Sequence, residues 1–329
     1  MARLVAAFAS SHSLMLAATA EDWIEGFRQT DPGMPLFDKN GTPRDYEELL
    51  KAAPRDAESL VTPEKLRSAH ERTFKAVAEL KRLIDATELD ALVIIGDDQH
   101  ELFQDSMMPA IGIYYGERIR NAARWKSPVD WYQRAMMERL EPKHDVHYPV
   151  HARLALQLIT DLTNAGFDPC ALNELAPDQY EGHAYSYIHR TYLEGRNLPV
   201  VPIMMNTYYP PNPPTPKRCV QLGWRLKEVI ESYPGDLRVG VLASGGLSHF
   251  VVDEELDLGV IEALRVKDLD YLARLDPKRL QAGSSEIRSW IVTAATAAAG
   301  DLELDWVEYI PAYRTPALTG TGLGFARWS

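Results

Sequence analysis

An α/β fold, with a central mixed or mostly parallel sheet flanked by helices and long loops around a site, is what this sequence predicts. Two observations carry it. Apolar runs of strand length alternate with segments of helical period, and several of those runs exit directly into polar clusters. With 329 residues, 46% hydrophobic and 25% charged, the chain can bury a sizeable core without disulfides, and residues 1–329 are read as a single domain.

Residues 4–8, Leu-Val-Ala-Ala-Phe, form the first predicted strand, and residues 91–95, Ala-Leu-Val-Ile-Ile, a buried one. Between them, Leu66, Ala69, Thr73, Val77, Leu80 and Ile84 recur at three-and-four spacing, which predicts a helix over 63–87 with one buried face. Thr62 followed by Pro63 suits its N-cap and first position. Further strands are predicted at 110–115, 199–204, 238–243 and 306–310, and helices at 152–165, 216–232, 260–274 and 286–299. Residues 30–44, 116–147 and 207–216 are weakly patterned. The last contains Tyr-Tyr-Pro-Pro-Asn-Pro-Pro-Thr-Pro, whose prolines fix an extended connection and exclude a central strand. Long loops in a compact domain tend to be functional, so these three are candidates for the walls or lid of a pocket.

Composition excludes several function classes. A net charge of −12 and a pI near 5.3 offer no attraction to nucleic acid or anionic lipid, and no apolar run reaches the ~20 residues a membrane span requires. Residues 1–20 lack a basic n-region and are interrupted by His12 and serines, unlike a secretory signal. Only Cys170 and Cys219 are present, outside any CxxC spacing, so neither a disulfide framework nor a thiolate metal site is expected, and a reducing cytoplasm fits.

Four segments place metal-competent or ionisable residues at a strand exit or helix start, where side chains from distant segments converge. These are Ser10-Ser11-His12-Ser13, Gly96-Asp97-Asp98-Gln99-His100-Glu101-Leu102-Phe103, Ser244-Gly245-Gly246-Leu247-Ser248-His249-Phe250, and Ser284-Ser285-Glu286-Ile287-Arg288-Ser289-Trp290. Each also has a plain alternative. His12 could cap or sit on the surface, the 97–101 run could be a solvated acidic turn, and Glu286 could simply complement a helix dipole. Clustered carboxylates, however, repel unless a cation or hydrogen-bond donors compensate. A further histidine, His183, lies in Glu181-Gly182-His183-Ala184-Tyr185. The late glycines Gly320, Gly322 and Gly324 have no following helix or strand, so a dinucleotide-binding reading fails on context, and the segment reads as a structured tail closing over the site.

In order and spacing these segments resemble the class III extradiol ring-cleaving dioxygenases, the superfamily of the protocatechuate 4,5-dioxygenase catalytic subunit, over nearly the whole chain. The resemblance implies an Fe(II) enzyme that opens a catechol-type aromatic ring with both atoms of O2, giving a muconic semialdehyde-type product. It implies His12, His100 and Glu286 as metal ligands, with His249 taking the substrate's phenolic proton and His183 a second acid/base group. Two histidines and a carboxylate on one face of iron leave adjacent positions for a chelating substrate and O2. The chain departs from the family pattern where Gln99, not histidine, follows Asp98, so Gln99 and Glu101 stand as alternative second ligands, and where Leu14 replaces a frequent proline. Arg288, Tyr185 and Tyr208 are candidates to face substrate, with packing or surface roles as the alternative. A metal-dependent hydrolase with the same ligands around Zn(II), and a silent partner subunit, are the competing readings. A homodimer is the commonest symmetric outcome for soluble enzymes.

Overall fold

The computed structural model describes residues 1–124, 127 and 130–329. Its centre is a nine-stranded mixed sheet. In chain order the strands are β1 (Arg3–Ser10), β2 (Ala91–Asp97), β3 (Ile111–Tyr114), β4 (Cys170–Leu172), β5 (Val200–Met205), β6 (Arg238–Ser244), β7 (His249–Val251), β8 (Leu304–Tyr313) and β9 (Thr319–Trp328). They lie in the order β7-β9-β1-β6-β2-β5-β3-β4, with β8 paired to the other side of β9.

The four central strands β1, β6, β2 and β5 are mutually parallel, and β9 and β3 flank them antiparallel. All seven residues of β2 are buried, as are all six of β5, which explains why both read as continuous apolar runs: helices and loops cover each face of a parallel sheet. The register is level at one edge. Ser10 pairs with Ser244 and Asp97 with Met205, so the polar residues that follow these strands emerge side by side.

The main helices are α1 (Pro63–Ala86), α2 (Trp131–Leu140), α3 (Ala152–Asn164), α4 (His183–Thr191), α5 (Pro216–Ser232), α6 (Glu254–Arg265) and α7 (Ile287–Ala299). Thr62 caps α1 by accepting from the Lys65 amide, with Pro63 at the first position, as its sequence requires. The single helix expected over 260–274 is instead α6 plus a short turn, Leu269–Ala273. Lys267 between them takes a positive φ of 55° and Asp268 caps the second piece. Residues 116–147, expected to be loop, hold α2 and one strand of a small ribbon, Arg118–Asn121 with Val146–Pro149. The glycine-bearing tail is not loose: it is β9, hydrogen-bonded between β1 and β8. Among the described residues no helix is long and apolar enough to cross a membrane.

Two apolar clusters lie on opposite faces of the sheet. One packs α3, α5, α6 and α7 against it, and the other packs α1 and α4. The position of α7, which begins immediately after Glu286, depends on close approach to α5 at Gly223. A Cβ there would lie 2.4 Å from the Val292 carbonyl oxygen and 2.6 Å from the Ala295 Cβ, and the Thr296 hydroxyl donates to the Gly223 carbonyl across the same contact. Gly223→Val should therefore cost about 1–3 kcal/mol or more, the usual penalty for overpacking a core. Chemical denaturation of the two proteins measures it, and an unchanged midpoint would show that the two helices do not depend on this contact.

Candidate active site

Four peptide segments leave the level edge of the parallel strands, the place where open α/β sheets converge functional side chains. His12 follows β1, Asp97 is the last residue of β2, Thr207 and Tyr208 follow β5, and His249 follows the turn after β6. Glu286 arrives from the start of α7 and His183 from the start of α4.

These side chains form a buried cluster. One nitrogen or oxygen from each of His12, Asp97 and His183 falls within 4.8 Å of the other two. His12 Nε2 lies 3.2 Å from His183 Nε2, 3.6 Å from Asp97 Oδ1 and 3.4 Å from Glu286 Oε2. His183 Nε2 lies 3.8 Å from the same Asp97 oxygen, and His249 Nε2 lies 3.9 Å from Glu286 Oε2. His12, Asp97 and Glu286 are all buried.

Outer contacts settle which ring nitrogen faces the cluster. The Ser244 hydroxyl donates its one proton to the Ala184 carbonyl, so at 3.0 Å from His12 Nδ1 it can only accept. His12 therefore carries its proton on Nδ1 and turns the Nε2 lone pair inward. Glu101 fixes the His183 ring: one carboxylate oxygen lies 2.9 Å from Nδ1 and the other accepts the His183 amide at 2.7 Å. Gly182, in the left-handed region at φ 80°, lets that carboxylate approach, since a Cβ there would meet Glu101 Oε2 at 2.9 Å. His249 Nδ1 donates to the Leu247 carbonyl at 3.0 Å, which leaves its Nε2 free. The His249 backbone is held by Ser284, whose hydroxyl accepts from its amide and donates to its carbonyl.

The electrostatics follow from burying three carboxylates among three histidines. Burial and the charge of Glu286 push the Asp97 carboxyl up, against the pull of His183 and His12. Burial also works to raise Glu286, but His249, His12 and the Gly246 amide hold it below the ordinary carboxylate range. Burial disfavours a charged His183, yet Glu101, Asp97 and Glu286 together raise its pKa to about 10. One acceptor is left over: Asp97 Oδ1 is buried with no hydrogen-bond donor among the described residues, while Oδ2 receives the Gln99 amide at 3.0 Å. An orphaned buried carboxylate oxygen flanked by two imidazole nitrogens and a second carboxylate is a donor set that a divalent transition-metal ion satisfies.

Of the residues singled out from sequence, His12, Glu286, His183 and His249 are brought together. His100 is not. It turns away with a positive φ of 62°, stacks on Tyr209 at 3.8 Å, and sets Nε2 3.2 Å from Asp105. The turn is closed by Asp98, whose carboxylate accepts the Leu102 and Phe103 amides. Asp97 as a member of the cluster was missed, although a signal existed. Asp97 closes the apolar strand that the sequence predicts, and in the turn beyond it Gln99 and Glu101 meet Asp97 and His183 while Asp98 and His100 face elsewhere.

Around the cluster opens a cavity of about 190 Å³, lined by His12, His183, His249, Glu286, Gln99 and Tyr208 at one end and by Phe27, Leu36, Met136, Tyr132, Asp31 and Arg314 at the other. Each of the three weakly patterned stretches contributes to it. Arg288 does not line it: its guanidinium bonds the Pro214, Thr207, Leu280 and Ser285 carbonyls, clamping the loop that carries Tyr208. Tyr185 is a core residue whose hydroxyl donates to the Ile203 carbonyl.

The profile of the catalytic LigB subunit of aromatic ring-opening dioxygenases matches residues 58–324, a span that includes Asp97, His183, His249 and Glu286. Gallate dioxygenase of Pseudomonas putida is 41% identical over 81 residues, which is 25% of this chain and 23% of that relative. With the match extending over most of its length, the chain belongs to the family of catalytic LigB subunits of aromatic ring-opening dioxygenases.

Proposed function

We propose that this protein is an Fe(II)-dependent extradiol dioxygenase that opens the ring of a catechol-type substrate with O2, and that the metal is held within the cluster of His12, Asp97, His183 and Glu286 by three of these groups, which leaves adjacent positions for the substrate's oxygens and O2. The observation that carries the reading is the orphaned Asp97 Oδ1, set between two inward-facing imidazole nitrogens with Glu286 alongside His12. Family membership supports ring opening, and the partial likeness to a gallate dioxygenase supports a substrate with adjacent ring hydroxyls. Iron, when bound, supplies a centre at which two adjacent substrate oxygens chelate and at which O2 becomes reactive toward a closed-shell ring.

The chain's own groups do the rest. His249, whose Nδ1 donates to the Leu247 carbonyl, keeps Nε2 toward the cluster and is placed to take a phenolic proton from a catechol. Glu101 holds the His183 ring and Gln99 holds the Asp97 carboxylate, so neither ligand must reorganise on loading. Tyr208 is half-buried in the cavity wall, and desolvation together with Glu286 and Asp97 pushes its hydroxyl well up. It stays a neutral donor for a substrate oxygen. The apolar wall of Phe27, Leu36, Met136 and Leu140 excludes water from the ring. A dry cavity of about 150 Å³ takes one benzene ring, so the space here suits a single substituted ring.

Metal titration separates the ligand assignments. Asp97→Asn and Glu286→Gln should weaken Fe(II) binding by about 100-fold or more, and Ser244→Ala by about 10–100-fold through loss of the His12 tautomer, whereas His100→Ala should leave it within about threefold. Full metal loss in His100→Ala with retention in Asp97→Asn would reinstate His100 as the ligand. Oxygen uptake by the anaerobically purified, Fe(II)-reconstituted protein against a panel of catechols tests the activity, with appearance of a yellow ring-opened product as readout. Metal bound without uptake on any catechol would refute ring opening. His249→Gln should keep its metal and lose about 10²–10⁴-fold in turnover; turnover near wild type would remove His249 from the chemistry.

A further inference from the structure

The far wall of the cavity carries one guanidinium, Arg314, among otherwise mostly apolar groups. Arg314 sits in the turn between β8 and β9, where its amide donates to the Thr319 carbonyl. Its Nε edge faces Asp31 Oδ2 at 3.1 Å, with both side chains largely buried. The Thr319 hydroxyl donates to that same Asp31 oxygen at 2.6 Å, and the Thr315 and Thr319 hydroxyls bond each other at 2.7 Å. Phe27 supports the guanidinium from beneath, 4.6 Å from ring centroid to Cζ. The group is thus oriented from one edge and one face.

Its two Nη amino groups form no hydrogen bond with any described residue, although Arg314 lines the cavity. A guanidinium held by an ion pair and a ring face, in a residue that lines the cavity, loses little entropy on meeting a planar pair of acceptors. Among the other described residues that line the cavity the only positively chargeable side chains are the histidines of the cluster, so Arg314 is the group there able to meet an acidic substituent outside the cluster.

We propose that Arg314, held by Asp31 and Phe27, is the anchor for a carboxylate on the substrate ring, and that it fixes which end of the ring meets the metal ligands. The proposal rests on the ring-opening reading for the location of the substrate's hydroxyls, and adds to it the chemical class of the substituent and the residue that selects it.

Binding without turnover tests it. Fe(II)-loaded protein is titrated under anaerobic conditions with protocatechuate, with the corresponding amide and with plain catechol, in wild type, Arg314→Met and Arg314→Lys. Wild type should bind the acid at least about tenfold more tightly than the amide. Arg314→Met should abolish that preference while holding catechol within about threefold of wild type, and Arg314→Lys, which keeps the charge but not the fork, should retain part of it. Catechol binding with no preference for the acid in wild type overturns the anchor and leaves the ring-opening reading intact. Equal weakening of all three ligands in Arg314→Met, with Arg314→Lys unchanged from wild type, assigns Arg314 a structural role and also overturns it. If none of the three ligands binds wild type, both readings fall.

Discussion

Asp97 and Glu286 are two carboxylates buried at the same point of an apolar interior, both within 4 Å of His12 Nε2, and the site is organised around the cost of that arrangement. Like charges so placed, far from water, shift each other's protonation and demand positive charge or donors nearby. His12, His183 and His249 answer the demand in part, and the Gly246 amide donates to Glu286. What they leave is the bare Asp97 oxygen. A binding site for a cation is the arrangement in which these groups cease to conflict.

The surrounding fold keeps those groups in one protonation pattern. Ser244, Glu101 and Leu247 each meet the outer nitrogen of one histidine, and each belongs to a segment that is itself anchored. Ser244 is the last residue of β6, level with Ser10 across the β1–β6 pair. The turn carrying Leu247 and His249 is fastened by Ser248, whose amide and hydroxyl both donate to the buried Asp257 of α6, and a hydroxyl from Tyr309 reaches the same carboxylate. Burial pushes Asp257 up to about 7 while those donors pull it back. Tautomer control is therefore a property of tertiary packing around a parallel sheet, not of any one motif.

The cavity walls come largely from the weakly patterned stretches, part of which is the helix α2. Residues 30–44, 116–147 and 207–216 supply Leu36, Tyr132, Met136 and Tyr208, and Arg288 ties the last of these loops to the start of α7 through four carbonyls. Rigid strands place the polar cluster, while loops that carry few sequence constraints shape the walls. That division explains how a family can keep its chemistry and vary the ring it accepts.

The sequence by itself determined the α/β class, six of the sheet's strands and most of the long helices, because buried parallel strands and amphipathic helices leave strong local periodicities. It also pointed to His12, the 97–101 run, His249 and Glu286 as groups at strand exits or a helix start, while His183 joined them only through the family resemblance. Only tertiary structure decided which atoms meet there. Whether position 97, 99 or 100 faces the cluster depends on where β2 stops and on the turn that Asp98 closes, and a shift of one residue exchanges inward for outward. The strand at 319–328 was hidden by its glycines, which lower strand propensity and are tolerated because β1 and β8 supply partners on both sides. Arg314 gave no local signal at all: its relation to Asp31, 283 positions earlier in the chain, exists only once β9 has been threaded back against β1.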